Sequence, residues 1–178
     1  MSKKASKTEK SIKNQRLVYK ITTWFIIRTL ISYIITIALI ICFLPLFKLF
    51  DGPYGYIERF LCSGLLILWM LTSIYLKNKL VRIEGKNLAE NKENILSTMD
   101  NFFSKYDFKI NNEKMMRSST PTNRSEWGRL ITILFDDKIM YLNITTLSLL
   151  NWPILTHGPV NFIMAKRIAK YYREYYLS

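Results

Sequence analysis

His157 is the only histidine in the chain of 178 residues, so neither a centre built on several imidazoles nor a Ser-His-Asp triad with a histidine to spare can be assembled from it. It stands in Thr156-His157-Gly158-Pro159, a run of turn formers, and a loop position is the expectation. Asp136 and Asp137 are adjacent carboxylates, but they precede Lys138 between two β-rich runs, where such residues form turns rather than acid/base pairs. Cys42 and Cys62 both lie in apolar stretches and read as small apolar side chains; a disulfide between them would need Cα atoms within about 7 Å. No cysteine remains for a zinc cluster or a nucleophile. The six glycines are scattered singly, so no phosphate-cradling loop is present. The sequence therefore predicts no catalytic, cofactor or metal site, no cofactor, and a protein that is not an enzyme.

The residues that do carry binding chemistry are few. Arg117, Ser118, Ser119, Arg124 and Trp127 lie in and beside a polar loop, and two guanidinium groups near hydroxyls and an indole suit an anion or a peptide. Tyr172 and Tyr176 add hydroxyl-tipped rings near the carboxy terminus. The candidate anion or partner contacts are thus Arg117, Ser119, Arg124, Trp127, Tyr172 and Tyr176.

The elements that must position these residues follow from the hydrophobic pattern. Two apolar runs without charge, residues 29–47 and 60–76, flank a short loop carrying Asp51-Gly52-Pro53. At about 1.5 Å per residue each nearly matches a hydrocarbon core of about 30 Å, so they read as a transmembrane hairpin over residues 21–77, with spans of about 24–47 and 58–77. Residues 1–20 form a basic flexible arm and residues 78–87 a juxtamembrane linker. Residues 1–86 hold a surplus of ten basic over acidic side chains and residues 87–178 a surplus of three, together the net charge of +13. Because the basic residues sit beside the apolar runs, both termini are expected in the cytoplasm, in a bacterial inner membrane rather than a secretory one. The same placement disfavours a nucleic-acid partner, which needs a basic patch on a folded face.

Residues 88–178 read as a cytoplasmic α+β domain. An amphipathic helix opens at Leu88, a doubtful strand covers residues 108–117, and β-rich runs at residues 129–135 and 139–146 are joined by Asp136-Asp137-Lys138, the firmest hairpin signal in the chain. A final helix over residues 160–176 places Ile163, Met164, Ile168, Tyr171, Tyr172 and Tyr175 on one broad side, expected to cover the sheet and leave the tyrosine hydroxyls at its rim. The predicted fold class is a two-helix transmembrane hairpin plus a small domain of helix, two or three antiparallel strands, and helix.

Two classes of function fit. The first is an integral membrane protein whose domain is a protein-interaction or assembly module, with a protein partner or a second copy of itself. The alternative is a membrane-associated sensor or transport accessory subunit that binds anionic lipid or another anion through its basic flanks. Partners on this reading are the lipid bilayer, anionic lipid at the basic flanks, and a protein or homo-oligomer.

Overall fold

The structure is a computed structural model that describes residues 7–17, 31, 55–120, 127–148 and 153–177. In chain order its elements are α1 (Lys7–Lys13), α2 (Gly55–Leu76), β1 (Val81–Glu84), α3 (Leu88–Phe102), β2 (Asp107–Asn111), β3 (Met115–Ser119), β4 (Gly128–Asp136), β5 (Ile139–Leu147), a 3-10 turn (Leu155–His157) and α4 (Gly158–Tyr176).

The hairpin β4–β5 organises the sheet. Both strands are rich in β-branched residues, Ile131-Thr132-Ile133 and Ile144-Thr145-Thr146, and the connection turns at Asp137, which adopts the left-handed φ of 51° that aspartate tolerates better than most residues. Around this pair stands a five-stranded antiparallel sheet in the order β1-β5-β4-β3-β2.

Strand alternation gives the sheet two inner surfaces. On one, Ile83, Met116, Ile131, Ile133, Met140, Leu142 and Ile144 meet Ile95 and Met99 of α3 and Ala165, Ile168, Ala169 and Tyr172 of α4. Helix α3 starts where Asn87 caps it. The Asn87 carboxamide oxygen accepts from the Glu90 N–H at 2.9 Å, and its amide donates to Glu90 Oε1 at 2.6 Å, a reciprocal cap. Asn91, on the next turn, is fully buried; its Oδ1 accepts from the Lys86 N–H at 2.9 Å and the Tyr172 hydroxyl at 3.0 Å, tying both helices to the chain beyond β1.

The other surface carries Thr132, Leu134, Tyr141, Asn143 and Thr145, also buried. Here the Asn143 amide donates to the carbonyls of Lys77 (3.1 Å) and Lys79 (2.9 Å), which fixes residues 77–79 across the sheet. Residues 15–17 run antiparallel to them through Leu17 N–H to Asn78 O and Leu80 N–H to Gln15 O, at 2.8 and 3.0 Å. Ser11 and Leu17 are buried, so this part of the expected flexible arm belongs to the fold.

The transmembrane hairpin is corrected by the structure: among the described residues no helix is long and apolar enough to cross a membrane. The first expected span and the Asp51-Gly52-Pro53 loop lie outside the described residues, apart from Ile31. Contacts divide the chain into two units, residues 1–18 with 72–178 and residues 19–71, so the last turn of α2 belongs to the α+β unit. Its Ser73 is buried and donates to the Thr156 carbonyl at 3.2 Å. Any Cβ on Gly158 would run into the Ser73 carbonyl oxygen, so the close approach of α2 to α4 requires glycine. The charge-free residues left ahead of Thr72, 60–71, reach about 18 Å at the helical rise, well short of about 30 Å. The orientation and inner-membrane placement built on that hairpin are withdrawn with it. In the second unit, Leu61, Leu65, Leu68 and Leu71 of α2 are exposed.

The strand count is corrected as well, from two or three to five. The expected linker contains β1, whose Val81 and Ile83 pair with Leu142 and Met140 and enter the core. The doubtful strand is two, β2 and β3, broken between Asn111 and Met115 where the Asn112 side chain accepts from the Lys114 and Met115 N–H groups at 3.0 and 2.9 Å.

Candidate functional site

Helix α4 packs on the sheet with Asn161, Ala165, Ile168, Ala169 and Tyr172 inward. That stripe is rotated from the expected one: Ile163 is 53% and Tyr175 67% exposed. The rotation follows from the two alanines and the two polar ties. Small side chains let the helix approach, and the Thr146 hydroxyl donates to Asn161 Oδ1 at 2.7 Å while Tyr172 reaches Asn91.

The consequence is an aromatic ledge at the carboxy-terminal end of α4. Tyr171 and Tyr175, one turn apart, stack with centroids at 5.7 Å and planes within 6°. Phe102, the last residue of α3, meets the Tyr171 ring edge to face at 5.7 Å, and the Asn101 amide donates to the Tyr171 hydroxyl at 3.3 Å. Tyr176 closes the group against Tyr175 (5.0 Å) and Tyr172 (5.2 Å). Beside α3, Tyr106 donates to Asp100 Oδ1 at 2.6 Å and meets half-exposed Phe108 at 5.4 Å. Burial, then the hydrogen bond and charge of Asp100, push the Tyr106 phenol up to about 12.

The residues expected to form one contact site are dispersed. Arg117 Nε donates to the Thr132 hydroxyl at 3.3 Å, on the polar surface of the sheet, with Ser119 two positions along the same strand. Arg124 lies outside the described residues. Trp127 is 57% exposed and meets the ring of His157 edge on at 5.5 Å. Partial burial, and then the Arg129 cation, lower the pKa of that imidazole. Tyr172 is fully buried and is not a surface contact, because its hydroxyl is used by Asn91. Tyr176 stays half-exposed on the ledge. Tyr171 and Tyr175, expected on the side that covers the sheet, lie instead on the ledge, and their four-residue spacing is the sequence signal for the stack.

Asp136 and Asp137 occupy the hairpin turn, and among the described residues no group of three His, Cys, Asp or Glu side chains could hold a metal ion. Cys42 lies outside the described residues. Comparison with protein-family models, with curated proteins and with solved structures finds no match.

Proposed function

We propose that the α+β unit is a protein-interaction module that binds a protein partner through the ledge of Phe102, Tyr171, Tyr175 and Tyr176. The observation that supports it is the exposed, parallel stack of Tyr175 on Tyr171. Rings held by their neighbours have little rotamer freedom left to lose on binding, and each offers apolar area with a polar tip, the properties of interface anchors. Beside the ledge Lys170 is paired to Glu174 at 3.5 Å, and the contact chemistry of the ledge itself is shape and hydroxyls.

The test is co-elution from the native host with the full chain as bait. A partner should be recovered with wild type and with Lys138→Ala, an exposed change in the β4–β5 turn, and lost with Tyr175→Ala at unchanged melting temperature. Equal recovery on Tyr175→Ala, or no partner on wild type, removes the reading.

A further inference from the structure

A second surface of the same unit has different chemistry. Three cations from separate parts of the chain meet around two rings. The Arg16 guanidinium carbon lies 4.7 Å from the Tyr75 centroid, and its Nη2 donates to the Tyr75 carbonyl at 2.8 Å. Lys79 Nζ stands 5.3 Å from the Tyr75 centroid and 5.4 Å from that of Phe162, so it joins the two rings into one group. Lys166 Nζ lies 5.0 Å from Phe162. At about 100° per residue, Phe162 and Lys166 project on the side of α4 away from Tyr171 and Tyr175, so this group is separate from the ledge.

Other cations of the unit stand against carboxylates, as in Arg82–Glu84, Lys86–Glu90, Lys114–Glu9 and Lys170–Glu174, while Lys92 and Arg129 each face one ring, Phe135 and Phe103, at 5.7 Å. Here three cations share two rings, and among the described residues rings take the place of acids. An aromatic face attracts a cation without neutralising it and occupies one side of each ammonium, leaving other N–H groups directed outward. Gathering three positive charges in this way opposes folding unless an anion uses them. Two of the three are lysines, point charges that suit phosphate oxygens in varied orientations better than the planar carboxylate that a bidentate arginine matches. The rim is partly apolar: Tyr75 is 56% exposed and Ile163, three residues before Lys166 on α4, 53%. Cations backed by rings, with one exposed aliphatic side chain beside them, match a headgroup layer, where rings sit at headgroup depth and an aliphatic tip reaches the acyl boundary.

We infer that Arg16, Tyr75, Lys79, Phe162 and Lys166 form a binding site for the phosphate headgroups of anionic lipid, engaged from the surface of a bilayer and independent of any span. The net charge of +13 adds attraction over the same approach. Near an anionic surface each basic residue is worth a factor of about five in partition, so removing two should cost about 25-fold.

The experiment is co-sedimentation of the full chain with phosphatidylcholine vesicles, with and without phosphatidylglycerol. Wild type should bind the anionic vesicles, release with added salt, and bind neutral vesicles far less. The Lys79→Gln/Lys166→Gln variant should lose about 25-fold in partition while Lys109→Gln/Lys138→Gln, which carries the same charge change elsewhere, keeps most of it; circular dichroism of all three should match. Equal binding to neutral vesicles, or equal loss in both double variants, overturns the proposal. So does full displacement by inorganic phosphate, which would make this a free-anion site, or by polyglutamate, which would make it a site for acidic protein.

Discussion

The two surfaces of the sheet are made by the same strands and held by different forces. Toward α3 and α4, Ile133, Met140, Leu142 and Ile144 interlock with Ile95, Met99 and Ile168, a contact that is non-directional and grows with apolar area. Toward residues 15–17 and 77–79, Asn143 spends both amide protons on the Lys77 and Lys79 carbonyls and its Oδ1 accepts from the Thr145 hydroxyl at 3.2 Å. The first surface tolerates exchange of one apolar side chain for another of similar volume. The second depends on particular atoms in particular places, because each buried carbonyl left without a donor is costly.

The comparison breaks first on the apolar side. Leu142→Ala should destabilise the unit by about 2 to 5 kcal/mol, the range for deleting a buried leucine side chain, read as a shift in the denaturation midpoint. Asn143→Ala should cost less, about 1 to 3 kcal/mol, and act locally: amide exchange at Leu17 and Leu80 should accelerate while protection in β4 persists. Equal acceleration in β4 would show that the two surfaces unfold as one.

A smaller effect concerns charge on the polar side. Burial lowers the Lys77 pKa from 10.5, so the unfolded chain holds that proton more tightly and stability rises with pH between the folded and unfolded values. Lys77→Met should therefore melt above wild type at neutral pH, with the gap closing as pH approaches 10.5. A gap constant with pH would assign the gain to packing alone.

The smallest effect is on the ring pair beside α3. Tyr106 titrates at about 12, raised above its ordinary 10.0, so its contribution is complete below pH 10 and is lost as pH rises toward 12. Asp100→Asn should move its tyrosinate midpoint back toward 10, followed by NMR of the ring, with little change in melting at neutral pH.

The β4–β5 hairpin was legible because two β-rich runs stand on either side of the Asp136-Asp137-Lys138 turn, and α3 was legible from its apolar stripe. Strand β1 was hidden: Leu80, Val81 and Ile83 follow an apolar helix closely enough to resemble its extension, and a four-residue strand is identified by its partner. The rotation of α4 was hidden for a related reason. Tyrosine, isoleucine and methionine make several overlapping apolar stripes on one helix, and the choice among them was made by Ala165, Ala169, Asn161 and Tyr172 meeting the sheet and α3.

By itself the amino-acid order determined which segments are β-rich or repeat at helical spacing, that a helix opens at Leu88, that Asp136-Asp137-Lys138 turns a hairpin, and that there is one histidine. These are local properties, set by residues a few positions apart. Only the tertiary structure decided that residues 11–17 enter the fold, that Gly158 is a contact point for Ser73, that Tyr172 is core while Tyr175 is surface, and that Arg16, Lys79 and Lys166 surround the same two rings. Residues 16, 79 and 166 have no shared period or motif; their proximity comes from β1 pairing with β5 and α4 packing across both, and such long-range pairing is absent from any short stretch of sequence.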